Sequence, residues 1–496
     1  MKYYQIRLLL SLIFLLPFSL VQAAFVDYNA QLNEGQKHLS CLRLQQANTI
    51  FKAEIAIHPG NIAAHFLLHY SNFYHIMVQQ DKKLLEEFEK STAATLLKIQ
   101  ELPENSPYRL FYKGSVHLQS ALIKGAFNEY LSSAWDFRTA YQEINQNESK
   151  FPSFLGHKKE LGVLMSLIGT FPKQYMWVVN VVGLEGDFEK GMGILTHYIN
   201  NYVNEPLIEK QESLIYYTLI QLNFGSNKNL AWEFYKDKCK DYEQNLIQCY
   251  MRAYVAGKCG ENEIALQTLK NRPNESSYEQ IHYLDFLMGE YLIHQLDFSA
   301  AIWYKKYLTF SATKSSYKEA YQKLAWISWL QSDTSKFITY IGLMEKNTKE
   351  PSSEAKLLRN DIKVGIYPST DLIKARLLFD GGYLIRSNQI LLNLSTHSLK
   401  SNFQLLDWKY RQARISQEQG KFADAIVSYK KCLEFGEGIN SYLLPNSCLQ
   451  LGLIYEELKY PKVAKLYYEK VSDYSNFDYE QSINQKAKAG IMRVKK

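Results

Sequence analysis

The sequence predicts an all-α protein, built as a right-handed solenoid of antiparallel helix pairs. Apolar residues recur at helical spacing in blocks that short polar turns separate. Runs of alternating apolar and polar residues bounded by Asn-Gly or Asp-Gly turns, which would predict strands, are almost absent. The helical blocks come in pairs and the pairs recur, which indicates a repeat architecture.

The composition is that of an ordinary folded chain. Of the 496 residues, 46% are hydrophobic and 22% are charged, which excludes an intrinsically disordered protein. Only 12 prolines and 24 glycines occur, which excludes collagen-like and linker-dominated architectures. A formal net charge of +7 over this length is too small to favour a nucleic-acid partner.

Residues 1–23 have the pattern of a cleavable secretory signal. Lys2 and Arg7 form a basic start, an apolar run follows from Leu8 to Val21, and Ala23 ends a small-residue cleavage site. The apolar run is about 14 residues long, whereas a membrane-spanning helix needs roughly 20. A retained signal anchor is the competing interpretation. No cysteine follows the site, so we expect a soluble exported protein in the periplasm, at the outer membrane or outside the cell.

The remaining chain divides into four segments by pattern, and helix pairs are predicted throughout. These segments are N-terminal helical pairs at 24–155, a glycine-rich buried helical junction at 156–200, degenerate repeats at 201–350 and C-terminal repeats at 351–496.

The clearest repeat lies near the C-terminus. Gly452-x2-Tyr455 is followed by Ala464-x3-Tyr468. Small residues let two antiparallel helices approach closely, and the large aromatic ring fills the space beside them. This spacing resembles the tetratricopeptide repeat superfamily, most specifically over residues 405–475. The resemblance implies a helical-repeat scaffold that binds protein partners and carries no catalytic residues.

Other copies of the same pattern fit less completely. The block before the clearest repeat fits well except that its first helix lacks the glycine. Two further copies fit in part, and one of them has Lys305 where the aromatic residue is expected. The repeat positions are Ala425 and Tyr429 in the first of these copies, Gly289 and Ala301 in the second, and Ala47, Phe51 and Pro59 near the N-terminus.

The junction is rich in glycine, with seven of the 24 glycines between residues 156 and 193. We predict a helix from Gly162 to Gly169, a second helix that starts at Pro172 and stops at Gly183, and a third helix capped by Asp187. The two inner helices are apolar on nearly all faces and are therefore expected to be buried. Gly183→Val is expected to lower stability, because a β-branched residue disfavours a left-handed helix stop.

This junction also resembles known families. An apolar small-residue helix, a proline turn and the Gly183-x-x-Gly186-Asp187 segment are similar to the signature region of the inclusion body clearance family of eukaryotes. The segment resembles exported tetratricopeptide proteins of the Bacteroidota more closely. Neither resemblance implies any catalytic residue.

Six cysteines occur without a CxxC motif, and an exported chain permits disulfides. In the repeat register, Cys432 and Cys448 fall on positions that face each other where repeats stack. Two alternatives stay open for this pair: a possible disulfide, or two small thiols packed in the seam between the helix pairs.

Motifs that carry chemistry are nearly absent. The sequence has no glycine-rich phosphate loop, no HExxH and no GxSxG. His65-x3-His69, with His75 further along, is the only metal-like spacing, and no carboxylate in the neighbouring turns completes a ligand set. We therefore expect no enzymatic activity, no cofactor and no metal. Basic residues near the C-terminus, from Lys486 to Lys496, are expected to interact with a helix dipole.

Three function classes follow from these observations, and the third, a hydrolase or metal enzyme hidden in the loops, has no constellation of residues to support it. The first is a non-catalytic scaffold that mediates protein–protein interaction in the cell envelope. The alternative is an accessory glycan- or nutrient-binding protein of an outer-membrane uptake system. Proteins of that second class are normally lipid-anchored, so the missing cysteine after Ala23 counts against it.

Overall fold

The computed structural model describes residues 23–170, 178, 186–310, 316–347 and 353–495. Residues 1–22 of the expected signal lie outside these ranges, as do Pro172 and Gly183 of the junction. The expected export and the expected helix stop at Gly183 therefore stay predictions.

Within the described residues the chain is all-helical, as the sequence predicts. It forms 24 α-helices and no strand, apart from one isolated parallel bridge between Phe25 and Asn61. The first twelve helices are α1 Ala30–Ser40, α2 Leu44–Ile57, α3 Ile62–Gln79, α4 Leu85–Ile99, α5 Pro107–Ala126, α6 Tyr130–Lys150, α7 His157–Leu167, α8 Phe188–Asn201, α9 Leu207–Phe224, α10 Asn229–Tyr235, α11 Leu246–Lys258 and α12 Asn262–Lys270. The other twelve are α13 Tyr283–His294, α14 Ala300–Leu308, α15 Tyr317–Leu330, α16 Thr334–Lys346, α17 Ser353–Lys363, α18 Thr370–Asp380, α19 Leu384–Asn393, α20 Asn402–Glu418, α21 Phe422–Phe435, α22 Leu443–Glu457, α23 Pro461–Lys470 and α24 Glu480–Arg493.

Eight helix pairs share one kind of turn, in which a residue in the left-handed conformation ends the first helix. The next amide then donates to the carbonyl five residues earlier, at 2.8 to 3.0 Å, which satisfies a carbonyl that the helix end leaves free. This common turn explains why the chain reverses direction at regular intervals. The left-handed residues are Leu42, Asn128, Gly260, Leu296, Ser332, Gly382, Gly420 and Lys459.

The helices form two layers that differ in burial. The first helix of a pair is buried more completely than the second. Helix α13 buries ten of its 12 residues and α22 buries ten of 15. Their partners bury three of nine residues in α14 and two of ten in α23. The first helices therefore form an inner layer, and the second helices form an outer layer that contributes a single buried stripe.

The C-terminal helix packs against the middle of the chain. Helix α24 contacts α8 and α9, and the Arg493 guanidinium donates to the carbonyl of Phe224 at the end of α9. The same guanidinium forms a two-pronged pair with Glu456, at 2.7 Å (Nε–Oε1) and 2.8 Å (Nη2–Oε2). The sequence pattern assigns Arg493 to the dipole of its own helix, but in the structure it links α24 to two other helices.

Among the described residues, buried hydrophobic side chains form one large cluster that runs from Leu32 to Leu377, a second from Leu406 to Val494, and two smaller clusters. The predicted segments 24–155, 156–200 and 201–350 all contribute to the first cluster. Within the described residues, no helix combines the length and the apolar character needed to cross a membrane.

Candidate functional site

Charged side chains from four inner helices meet in what we call the inner ionic network. The ammonium of Lys323 on α15 lies 3.2 Å from Glu290 Oε2 on α13. Lys323 and Arg376, which lies on α18, both pack over the Trp326 ring, at 5.2 and 5.0 Å from its centroid. Helix pairs that are distant in sequence are therefore joined through their first helices. The network consists of Glu290, His294, Lys323, Arg376, Asp380, Asp407, Arg411, Arg414 and Glu418.

Burial and neighbouring charges shift the pKa values of several members of this network. Burial lowers the pKa of His294 to about 4, so its imidazole is neutral at neutral pH. Burial alone would raise the pKa of Asp380, but Arg376 and the other nearby cations hold it below its usual range. Nearby cations, Lys323 first, likewise hold the pKa of Glu290 below its usual range. The Lys323–Glu290 pair joins α13 to α15, and the other ion pairs of the network lie within single helices.

A second group of charges, which we call the buried lysine cluster, consists of Lys159, Glu160, Glu209, Glu212 and Tyr70. The Lys159 ammonium lies 3.1 Å from Glu160 Oε1 and 2.5 Å from Glu209 Oε2, and it also pairs with Glu212. The Tyr70 hydroxyl donates to Glu212 Oε2 at 2.5 Å. All four ionisable side chains that pair here are at least 96% buried, so the cluster ties α3, α7 and α9 together inside the core.

The buried lysine cluster holds three carboxyl groups and one ammonium, so it cannot be neutral if every group is ionised. Burial raises the pKa of Glu160 to about 8 and also raises that of Glu209. Burial opposes the charge on Lys159, but the three carboxyl groups raise its pKa well above its ordinary value. Glu160 therefore carries a proton at neutral pH while Lys159 stays charged.

The three carboxyl groups are also the one described set of side chains that could hold a metal ion, since one oxygen from each lies within 4.8 Å of the others. The Lys159 ammonium already lies among these oxygens and supplies the positive charge. The sequence reasoning missed this cluster. Its signals were the Glu209-x2-Glu212 spacing on one helix face and the Lys159-Glu160 pair at the start of an apolar helix.

The structure brings the predicted residues of the C-terminal repeat together. An ideal Cβ built on Gly452 would lie 2.5 Å from Tyr468 Cδ1, and one built on Gly490 of α24 would lie 2.5 Å from Tyr468 Cε2. The Tyr468 ring therefore fills the space between two glycines. Ala464 is fully buried, and Tyr455 is half-buried and stacks on Tyr467 at 5.5 Å.

The other well-fitting copy places its predicted residues in the same way. Ala425 and Tyr429 are both fully buried, and the Tyr429 hydroxyl donates to Gln417 Oε1 at 2.6 Å. These contacts join the second helix of the pair to the first.

The N-terminal copy includes a residue that the sequence reasoning did not name. Ala47 and Phe51 are fully buried, and α2 ends at Ile57, two residues before the exposed Pro59. A Cβ built on Gly35 of α1 would lie 3.0 Å from Phe51 Cδ1. Gly35 therefore has the same packing role in α1 that Gly452 has in α22, since each glycine leaves room for an aromatic ring of the following helix.

The third copy requires a correction of register. Ala301 is half-buried, whereas Ala300 is fully buried and Tyr304 packs on Gly289, where a Cβ would lie 2.9 Å from the ring. Ala300 follows Gly289 by 11 residues, whereas Ala464 follows Gly452 by 12 residues in the C-terminal repeat. The aromatic position is therefore Tyr304, and Lys305 points to the exposed side.

The first helix of the junction begins earlier than the sequence predicts. Helix α7 starts at His157, not at Gly162, and Gly169 lies in a short 3₁₀ turn that follows it. A Cβ on Gly162 would lie 2.9 Å from the carbonyl oxygen of Gly191, so the glycines let α7 and α8 approach closely. Gly186 precedes the helix cap, and Asp187 Oδ1 accepts from the Lys190 amide at 2.9 Å.

All six cysteines are free thiols. Cys432 and Cys448 are buried in the same hydrophobic cluster, and burial raises the pKa of each thiol to about 12. In the structure both are therefore packed thiols, and a count of free thiols in the protein distinguishes this arrangement from the disulfide.

The three histidines with metal-like spacing have separate partners. His65 contacts the carbonyl of Pro59 at 3.1 Å, and His75 lies 3.1 Å from Glu279 Oε1. His69 stacks on Phe88, and burial lowers its pKa to about 3.

Comparison with known proteins adds a family match over part of the chain. A model of the tetratricopeptide repeat matches residues 445–477. The chain has 10% identity and a TM-score of 0.26 to a crystal structure of the APC/C hetero-tetramer Cut9–Hcn1, over 91% of this chain and 95% of that chain. It has 12% identity and a TM-score of 0.21 to the TPR domain of P58(IPK), over 93% and 97%. No curated protein matches the sequence. The chain therefore contains a tetratricopeptide repeat at residues 445–477, which includes α23 and most of α22.

Proposed function

We propose that this chain is a non-catalytic helical-repeat scaffold that mediates protein–protein interaction in the cell envelope. The observation that supports this most is the two-layer array of helix pairs that contains the tetratricopeptide repeat at 445–477. Stacked helix pairs present extended surfaces that suit protein partners. The densest group of chemically versatile side chains, the buried lysine cluster, is closed to substrate because its charged groups are at least 96% buried.

The outer layer supplies a surface on which the proposal can be tested. Three outer helices expose a large apolar side chain two residues after their buried alanine. These side chains are Ile302, Val427 and Leu466, with exposed fractions of 68%, 52% and 51%. Val427 and Leu466 belong to consecutive helix pairs, so a partner that covers this part of the outer layer would contact both.

The experiment compares two double variants after cross-linking in intact producing cells. Val427→Ser with Leu466→Ser removes the apolar contacts, and Lys430→Ser with Lys465→Ser changes exposed residues on the same two helices. We expect one envelope protein, identified by mass spectrometry, to be cross-linked to the original chain and to the lysine variant but not to the apolar variant. Equal cross-linking of all three chains would contradict a contact at this surface, and no specific adduct to any of them would contradict the scaffold function.

The proposed setting is the envelope, after export and cleavage behind Ala23. The sequence pattern of residues 1–23 supports it, as does the resemblance of the junction to exported repeat proteins of the Bacteroidota. The junction also resembles the signature region of the inclusion body clearance family. We keep this resemblance as part of the proposal, because it rests on the same glycine-rich residues. N-terminal sequencing of the mature protein should start at Ala24, and full-length protein in the cytoplasm would contradict export.

The alternative, an accessory glycan- or nutrient-binding protein, predicts a different result. A panel of oligosaccharides would then raise the melting temperature of the purified chain. We expect no such shift for a protein scaffold.

A further inference from the structure

Helix α24 contacts parts of the chain that lie far from it in the sequence, and we call this helix the latch. It packs against α8, α9 and the 3₁₀ turn that follows α7. In an array of stacked helix pairs each pair contacts its neighbours in the sequence, so contacts over this distance are additional to the repeat pattern. They join the C-terminal helix pairs to the middle of the chain.

Polar side chains near the two ends of the latch make its hydrogen bonds to these distant helices. Near the N-terminal end, the side-chain amide of Gln481 donates to the Tyr130 hydroxyl at the start of α6. At the other end, the Arg493 guanidinium donates to the Phe224 carbonyl and lies 5.8 Å from the centroid of the Phe188 ring on α8. The latch therefore bridges α6, α8 and α9.

The buried apolar side chains of the latch belong to a different part of the core. Ile483 and Ala487 lie in the second hydrophobic cluster, together with residues of α20 to α23. Leu195 of α8 and Ile220 of α9 lie in the first cluster, and among the described residues that cluster contains no side chain of α24. The latch therefore forms one unit with α20 to α23, and its hydrogen bonds to α6 and α9 cross between two separate apolar cores.

Contacts of this kind can break without loss of either core. Water replaces the partner of a broken hydrogen bond, so each such bond contributes little net stability, whereas an apolar core is lost only when its side chains become exposed to water. Contacts between separate cores are therefore expected to open at a lower free energy than that of global unfolding.

We propose that the latch is releasable, and that on release α20 to α24 move away from α6 and α9 as a folded unit. The Phe188 ring and the Phe224 carbonyl then become accessible and offer a protein partner a contact site in addition to the outer layer. This inference rests on the proposed scaffold function and adds a regulation of partner access to it.

Arg493→Lys with Gln481→Ala, the latch variant, removes both contacts and keeps the C-terminal core. Lysine retains the positive charge beside Glu456, but its single ammonium does not reproduce the contacts that the guanidinium makes with Glu456 and the Phe224 carbonyl together. Small-angle X-ray scattering of the full purified chain measures the radius of gyration. We expect a radius about 5% or more above that of the original chain, with unchanged helix content in circular dichroism.

The matched control, Ser482→Ala with Lys495→Arg, changes two exposed residues beside the same contacts and should keep the original radius. If the latch variant loses helix content, Gln481→Ala alone, at an exposed position, repeats the scattering test. Equal radii in all chains would overturn the inference. A lower melting temperature of the latch variant with an unchanged radius would also overturn it, because Arg493 would then have a structural role only.

Cross-linking in intact producing cells tests the regulation. The yield of the envelope adduct should be higher for the latch variant than for the original chain and the control, and an equal yield despite a larger radius would overturn the role in partner access. Scattering needs no partner, so failure of the latch and failure of the scaffold proposal are separate results.

Discussion

Gly260 and Gly382 lie backbone against backbone, although they belong to different helix pairs. Both have positive φ, at 87° and 82°. A Cβ built on Gly382 would lie 3.0 Å from Gly260 Cα and would overlap the Gly260 carbonyl oxygen. The Tyr383 hydroxyl accepts from Asn262 at 3.1 Å and donates to Glu263 at 2.6 Å. The α11–α12 and α18–α19 turns are therefore in direct contact, although the pairs α13–α14 and α15–α16 lie between them in the sequence.

Gly382→Ala should destabilise the protein more than Gly420→Ala. Both glycines have positive φ, at 82° and 73°, so alanine has a similar backbone cost of about 1 kcal/mol at each position. A methyl group placed on Gly420 would have no other atom within 4 Å, whereas one placed on Gly382 meets the backbone of Gly260. Urea unfolding measures the two free energies, and equal losses would show that the contact between the two turns contributes nothing.

Gly452→Ala and Gly193→Ala should change stability in opposite directions. Both glycines lie inside helices, where alanine is favoured by about 0.5–1 kcal/mol. A methyl group on Gly193 meets open space, but on Gly452 it meets the buried Tyr468 ring. We therefore expect a higher melting temperature for Gly193→Ala and a lower one for Gly452→Ala. A gain in both variants would mean that the Tyr468 ring can move aside at no cost.

The sequence predicts this architecture well because the determinants of each pair are local. The Ala464-x3-Tyr468 spacing predicts that the two helices of one pair pack closely, and this packing is present in the structure. Contacts between residues that are far apart in the sequence produce no comparable local pattern. Nothing near Gly382 indicates that Gly260 covers it. The Lys159-Glu160 pair in an apolar helix indicates buried charge, but it does not indicate that Glu209 is the partner. The shift from Ala301 to Ala300 has a different cause. The buried alanine follows the glycine of the first helix by 11 residues in this copy and by 12 in the C-terminal repeat, which moves the register of the whole second helix.

Thiol counting on the denatured, unreduced protein should find all six cysteines free. Cys432 and Cys448 are buried thiols without a bridge, and burial raises the pKa of each to about 12. Thiols with such a pKa form little thiolate at neutral pH, which slows oxidation. A count of two fewer thiols, restored to six by a reductant, would show that export produces the alternative disulfide.

Glu160→Gln should stabilise the protein more at pH 8 than at pH 5. Burial raises the pKa of Glu160 from its ordinary 4.5 to about 8 in the folded chain. Between these values the unfolded chain releases its proton while the folded chain keeps it, so the original protein loses stability as the pH rises through this window. Glutamine cannot ionise, so the variant escapes this loss, which at about 1.4 kcal/mol per pKa unit amounts to a few kcal/mol at most.

The amide of glutamine can still accept from the Ser115 hydroxyl, which lies 2.9 Å from Glu160 Oε1, so the contact that orients this side chain is kept. Urea unfolding of both chains at pH 5 and pH 8 gives the difference, and Glu86→Gln, at a side chain that is 81% exposed, is the control. The stability of the Glu160 variant relative to the original should rise with pH, while that of the control should stay constant. A constant difference for Glu160→Gln would mean that Glu160 is ionised beside Lys159, and that the excess charge of the buried lysine cluster is neutralised at another carboxyl group.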